Sequence, residues 1–296
     1  MRNPQSDIFV EGSSHHRFLE YRINPSASVA AVVRALRVPF QQQEPGDHCV
    51  VGLGPRWSRQ LLAVPPPADL REFEAIAGVR SAPSTQGDLW FWIHGTSTGR
   101  NLDRALAIHA ALSEAAQLSL EVAGFIRDEK RDLTGFVDGS ANPSGEKARR
   151  AALIASGPNA GGSLAMTQRW VHDLPAFGRL PVADQERVIG RTKEESIELE
   201  GDAMPPDSHV SRTDVKLDGV AQKIYRRSTP YGGVDEHGLY FVAFACELQR
   251  FQIQLDRMYG VSGDGVHDRL ITFSEAVSGS YWYIPSEAQL AGLGSD

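Results

Sequence analysis

The sequence predicts an α+β protein of two ferredoxin-like domains, antiparallel sheets with flanking helices, and three observations carry that expectation. A chain of 296 residues, at roughly 100–200 residues per domain, suggests two domains with enough length for sizeable cores. The N-terminal part alternates strand-like and helix-like stretches with room for antiparallel returns, which fits a ferredoxin-like domain better than a doubly wound sheet. The C-terminal part is built from similar stretches separated by longer connections.

Taken in order, residues 15–23 alternate as a strand should, and 25–38 follow as a Ser/Ala-rich helix with spaced valines and leucines. Residues 48–61 read as a strand ending in a turn, and 67–78 as a helix with Asp69 near its start and Gly78 at its end. The aromatic run DLWFWIHGTS (88–97) is strongly β-forming, 101–118 have helical periodicity, and 119–129 return as a strand. Beyond it, 163–174, 223–232, 238–248 and 279–286 are strand-like, while 182–190 and 249–260 are helical and end in glycine. The acidic, proline-bearing stretch 193–214 reads as a long exposed loop, and loops of that length are commonly functional. A boundary near residue 130 divides the chain into domains 1–130 and 131–296. No Gly/Ser or Pro linker marks it, so the halves are expected to pack closely.

Composition excludes several classes. The hydrophobic share of 41% and charged share of 23% are ordinary for a soluble globular chain, and no apolar run approaches the ~20 residues that cross a membrane. The N-terminal stretch lacks a charged leader followed by an apolar run, so a cytoplasmic protein without a membrane partner is expected. Cys49 and Cys246 stand far apart and outside any CxxC pattern, against a disulfide framework, a cysteine zinc site and covalently attached haem. A net charge of −7 without a Lys/Arg block leaves no electrostatic footprint for nucleic acid.

The stretch GFVDGSANPSG (135–145) sets one carboxylate, Asp138, in a glycine-rich turn. A calcium loop starting there would need Gly where Pro143 stands and an acid where Arg149 stands. Neither GKS/GKT nor GxGxxG is present, which removes nucleotide phosphate. On its own residues, Asp138 could simply sit in a turn or cap a helix beginning near Glu146.

GFVDG followed by ANP resembles the GxxDG signature of dye-decolourising haem peroxidases, in their bacterial, B-type-like branch. GRTKEES (190–196), PPDSHVSRTD (205–214) and IYRRSTPYG (224–232) followed by GLYFVAFA (238–245) agree in order and spacing. The resemblance implies two ferredoxin-like domains with haem b held non-covalently in the C-terminal one, and a homo-oligomer. It implies reduction of hydrogen peroxide and oxidation of dyes, phenols or other small one-electron donors through a ferryl state. A haem-handling protein with incidental peroxidase activity is the alternative. The final EAQLAGLGSD only faintly resembles the tails that load relatives into an encapsulin shell, so no shell partner is expected.

By the same resemblance, His209 is the proximal iron ligand, and Asp268 in GVHDRLITF accepts the second N–H of its imidazole. Asp268 reads equally well as a surface acid beside Arg269. Arg226 corresponds to the distal arginine and Asp138 to the distal acid. If 223–232 is a strand, Arg226 and Ser228 share one face and Arg227 the other, and Ser228 is placed to hydrogen-bond peroxide. Phe241 is a candidate pocket wall, and Arg191 a candidate partner for a haem propionate. The acid would relay a proton while the arginine stabilises charge on the departing oxygen. The glycines are expected to let the backbone pass close to a flat macrocycle.

Overall fold

A computed structural model describes residues 3–41 and 44–293. The last residues of the C-terminal stretch read for a shell tail, 294–296, lie outside the described residues. Ten strands make the main sheet: β1 (His15–Ile23), β2 (His48–Leu53), β3 (Leu89–Gly95), β4 (Ala116–Phe125), β5 (Ser163–His172), β6 (Tyr225–Arg226), β7 (Thr229–Gly232), β8 (His237–Ala245), β9 (Ser274–Ala276) and β10 (Ser280–Ile284). Nine helices accompany them among the described residues: α1 (Val29–Arg37), α2 (Pro55–Leu61), α3 (Thr98–Leu112), α4 (Gly145–Ala152), α5 (Leu174–Gly178), α6 (Val182–Ile189), α7 (His209–Thr213), α8 (Gln249–Met258) and α9 (Glu287–Ala291).

The strand order is β6-β8-β7-β4-β1-β3-β2-β10-β5-β9, and a further antiparallel pairing of β8 with β5 closes the sheet on itself. Within it β4-β1-β3-β2 and β7-β8-β5-β10 form two four-strand runs. They meet through one residue pair at each edge, Tyr231 with Gly124 and Leu53 with Tyr283. The expectation of separate sheets is corrected by those two contacts, which make one closed α+β sheet.

Strand alternation sorts the side chains. Phe18, Trp90, Trp92, Val122, Ala165, Tyr240, Val242, Phe244 and Trp282 meet inside the closed sheet. The opposite faces, with Leu19, Tyr21, Val51, Phe91, Met166 and Trp170, pack against helices that include α1, α3 and α8. α1 starts where Ser28 accepts the Ala31 N–H, and its buried Val32, Val33, Ala35 and Leu36 supply the apolar stripe.

Two expectations about elements change. Residues 67–78 are not helical, although Leu70, Phe73 and Ile76 are buried at three-residue spacing. Their backbone bonds outward instead: Leu70 O accepts from Arg59, and Phe73 N–H donates to Gln86 Oε1 at 3.0 Å. The Asp69 carboxylate accepts Leu248 N–H at 2.9 Å rather than capping a local helix. The stretch 193–214, expected to be a loop throughout, contains α7 at its end.

Candidate functional site

α7, α8, the outer face of β5 and β8, and the 130–142 loop enclose a cavity with about 1100 Å³ of empty space, its mouth included. Met166, Trp170, Leu239, Phe251, Leu255 and Leu270 give it a largely apolar lining. Into this lining the fold sets Asp138, His209, Arg226, Ser228 and Phe241, five of the seven residues singled out in the sequence.

His209 opens α7. Ser208 caps that helix by accepting the Ser211 N–H at 3.2 Å. His209 Nδ1–H donates to Asp268 Oδ2 at 2.6 Å. Asp268 is fully buried, so it is not the surface acid its neighbour Arg269 suggested. Its other oxygen accepts the Leu270 N–H at 2.8 Å, and Arg269 N–H donates to Asp207 O at 2.9 Å, locking the two turns together. With Nδ1 fixed as a donor, Nε2 carries the imidazole's lone pair, and no protein hydrogen bond occupies it among the described residues.

Asp138 ends a short hairpin in which Arg131 pairs with Val137 and Asp138 N–H donates to Lys130 O at 2.9 Å. Arg131 braces that hairpin, donating to Gly135 O, Lys193 O and Glu194 O, so GFVDG is tied to GRTKEES. Asp138 does not cap α4, whose N-cap is Ser144. Gly139 turns the chain at φ +82°, a conformation that side-chain-bearing residues rarely adopt. Conformation, rather than a close approach, is the reason for that glycine. The Asp138 side chain is half-buried and borders both this cavity and two hollows beside it. Burial raises its pKa, opposed by the Arg226 cation, the Gly139 N–H and His209.

Arg226 and Ser228 both line the cavity, while Arg227 turns away, donating to Val10 O and Tyr225 Oη with its guanidinium 5.3 Å from the Trp92 ring centroid. Ser228 Oγ accepts the Val242 N–H at 3.3 Å, which leaves its own O–H free to donate. The Arg226 guanidinium has no side-chain hydrogen bond or ion pair among the described residues. Arg191 is not among the residues lining this cavity. It borders an adjoining hollow that also includes Asp138, His209 and Arg226, and its guanidinium engages Glu198 and Ser196 O.

Four further polar residues were given no role at the site by the sequence reading. Gln168 and His172 alternate with Met166 and Trp170 on the cavity face of β5, and polar residues on the core face of a strand were the signal available. Gln168 Nε2 and His172 Nε2 are buried without protein partners. His172 is pushed down to about 4, mainly by burial and further by His237. Asp132 also lines the cavity; burial raises it to about 6 against the Thr134 hydroxyl, with Asp138 adding to the rise. Asn142 bonds the Arg226 backbone.

The arrangement suits a largely apolar prosthetic group held through one imidazole nitrogen better than a bare ion. Among the described residues no group of three or more His, Cys, Asp or Glu could hold a metal by itself, whereas the open Nε2 and the orphaned polar atoms fit a larger ligand. Such a site, with an acid and a free cation beside it, fits the class of proteins that hold a prosthetic group through one imidazole. The chain belongs to the Dyp-type peroxidase family: the N-terminal family model matches residues 25–126 and the C-terminal one residues 129–289. It is 36% identical over 256 residues to a dye-decolorizing peroxidase of Rhodococcus erythropolis, covering 84% of this chain and 75% of that protein. A Mycobacterium tuberculosis dye-decolorizing peroxidase is 36% identical over 269 residues, with 88% and 79% covered. Among solved structures, a dye-decolorizing protein from V. cholerae superposes with TM-score 0.91 at 36% identity, covering 98% and 99% of the two chains. A Rhodococcus jostii RHA1 DypB variant in complex with heme gives TM-score 0.92 at 35% identity, with 99% and 100% covered.

Proposed function

We propose that this protein is a haem peroxidase that reduces hydrogen peroxide and oxidises dyes, phenols or other small one-electron donors. The carrying observation is one apolar cavity lined by a carboxylate-oriented imidazole, His209, and by the acid and cation Asp138 and Arg226. His209 would hold the iron through Nε2, with Asp268 fixing the tautomer and raising the basicity of the ring. Phe241 and the apolar lining would wall the macrocycle. The haem, when bound, supplies the redox chemistry.

The chain's own residues manage protons and charge. Asp138 in its ionised form would accept a proton from one oxygen of a peroxide held beside it and return it to the other as the O–O bond breaks. Arg226, free of other partners, stabilises the negative charge developing on the departing oxygen. Ser228 has an O–H available to orient peroxide. Arg191, already paired with Glu198 at the adjoining hollow, is the proposed neighbour of a haem carboxylate.

The four-strand runs β4-β1-β3-β2 and β7-β8-β5-β10 support two ferredoxin-like units, domains 1–130 and 131–296, with haem in the second. The family models, adjoining at 126 and 129, support that boundary. The proposal also includes a homo-oligomer, a cytoplasmic setting and no shell partner; no described helix is long and apolar enough to cross a membrane. Haem handling with incidental activity is disfavoured, because a carrier has no need of the acid and the free cation beside the imidazole. Steady-state oxidation of a phenol and a dye by the holoprotein tests the reading. Peroxide-dependent turnover supports it; haem release to an acceptor protein without turnover contradicts it.

A further inference from the structure

We propose that Asn142 is a positioning residue that sets Arg226 beside Asp138, an inference that rests on the peroxidase reading above. Its amide reaches the Arg226 backbone and engages both polar groups there: Nδ2–H donates to Arg226 O at 2.9 Å, and Oδ1 accepts Arg226 N–H at 2.9 Å. A side-chain amide carries a donor and an acceptor side by side and can copy the edge of a strand in this way. β6 is only two residues long and stands at the end of the strand order, paired with β8. Asn142 completes its open edge.

The same turn carries the acid. Asn142 N–H donates to Gly139 O at 2.9 Å, closing a tight turn immediately after Asp138, so the acid and the clamp on the arginine move as one piece. The amide is not spent on α4, which Ser144 precedes as N-cap. No side-chain bond holds the Arg226 guanidinium among the described residues. The cation is therefore placed through its backbone, and Asn142 holds the edge of that backbone. The distance between a charge-stabilising group and a reacting atom controls rate steeply, with displacement of about 1 Å costing on the order of 10²-fold.

A loop staple with no role at the site would stabilise the turn without acting through Arg226, and a double-mutant cycle separates the two. The holoprotein is compared with Asn142→Ala, Arg226→Ala and the double variant. One readout is the rate of the peroxide-induced absorption change, and the other is azide affinity of the ferric protein, read from the Soret shift. Asn142→Ala should keep its haem content, slow the peroxide reaction about tenfold or more and weaken azide binding. In the Arg226→Ala background it should add less than about twofold to either defect. Equal effects in both backgrounds, or wild-type values for Asn142→Ala, overturn the proposal. If Asn142→Ala loses haem, Asn142→Asp, which keeps an oxygen for the Arg226 N–H, carries the same comparison. Should the wild type bind azide but ignore peroxide, the peroxidase reading fails, while the azide cycle still decides the coupling.

Discussion

At the residue scale the proposed chemistry rests on two pairs. Asp268 fixes one tautomer of the His209 imidazole, and in the proposed function Asp138 and Arg226 divide proton and charge work. His209→Ala should abolish or greatly weaken haem retention, measured as haem per chain after gel filtration; full occupancy with an unchanged iron spectrum contradicts the ligand assignment. Arg226→Ala should slow the reaction with peroxide by about 10²–10³, the usual cost of losing one oxyanion-stabilising donor, in stopped-flow absorption. The proposed role of Asp138 uses its base form, and burial holds its pKa above that of an ordinary carboxylate. The peroxide rate constant should therefore rise with pH through a midpoint above the ordinary carboxylate value. Arg226→Ala should move that midpoint further upward, since the cation favours the charged form; an unmoved midpoint in the rate–pH profile contradicts the pairing. His209, Arg226 and Asp138 were legible because they stand in recognisable motifs. Gln168 and His172 were not, and Asn142, though it stands in the ANP of the same motif, showed no role there, because their significance lies in what the folded backbone brings beside them.

At the element scale, alternating hydrophobicity made most strands legible, and the same alternation separated Arg226 from Arg227. The stretch 67–78 misled because buried residues three apart imitate a helical stripe, while its hydrogen-bond partners come from Arg59, Gln86 and Leu248. Glu20 in β1 shows what alternation alone misses. It lies inside the closed sheet and accepts from Tyr240 Oη at 2.7 Å, Thr167 Oγ1 at 3.1 Å and Ser280 Oγ at 3.4 Å, from β8, β5 and β10. Burial raises its pKa against those three hydrogen bonds. A raised folded-state pKa favours folding below the unfolded carboxylate value of about 4.3, and that contribution is lost as pH rises through the folded-state value. Glu20→Gln should therefore flatten the decline of urea-unfolding stability over this window. An unchanged slope would show that Glu20 ionises as readily in the folded protein as in the unfolded chain.

At the scale of the whole molecule, closure of the sheet joins the two halves beneath the site. Each edge contact rests on a single residue pair, too small to leave a periodic signature, which is why separate sheets were expected. Side chains reinforce the seam: Gln5 donates to Val51 O and Pro285 O, each at 2.9 Å, and accepts the Val51 N–H at 2.8 Å. Gln5→Ala leaves these buried backbone groups without their partner and should lower stability by about 1–3 kcal/mol. Urea unfolding checks it, and an unchanged midpoint would show that the seam does not depend on Gln5.

The most direct test of the haem peroxidase conclusion is the absorption spectrum of the purified holoprotein before and after one equivalent of hydrogen peroxide. A Soret band that shifts within the mixing time and returns on addition of a phenol is the predicted result. Absence of a Soret band, or a band that peroxide leaves unchanged, would contradict it.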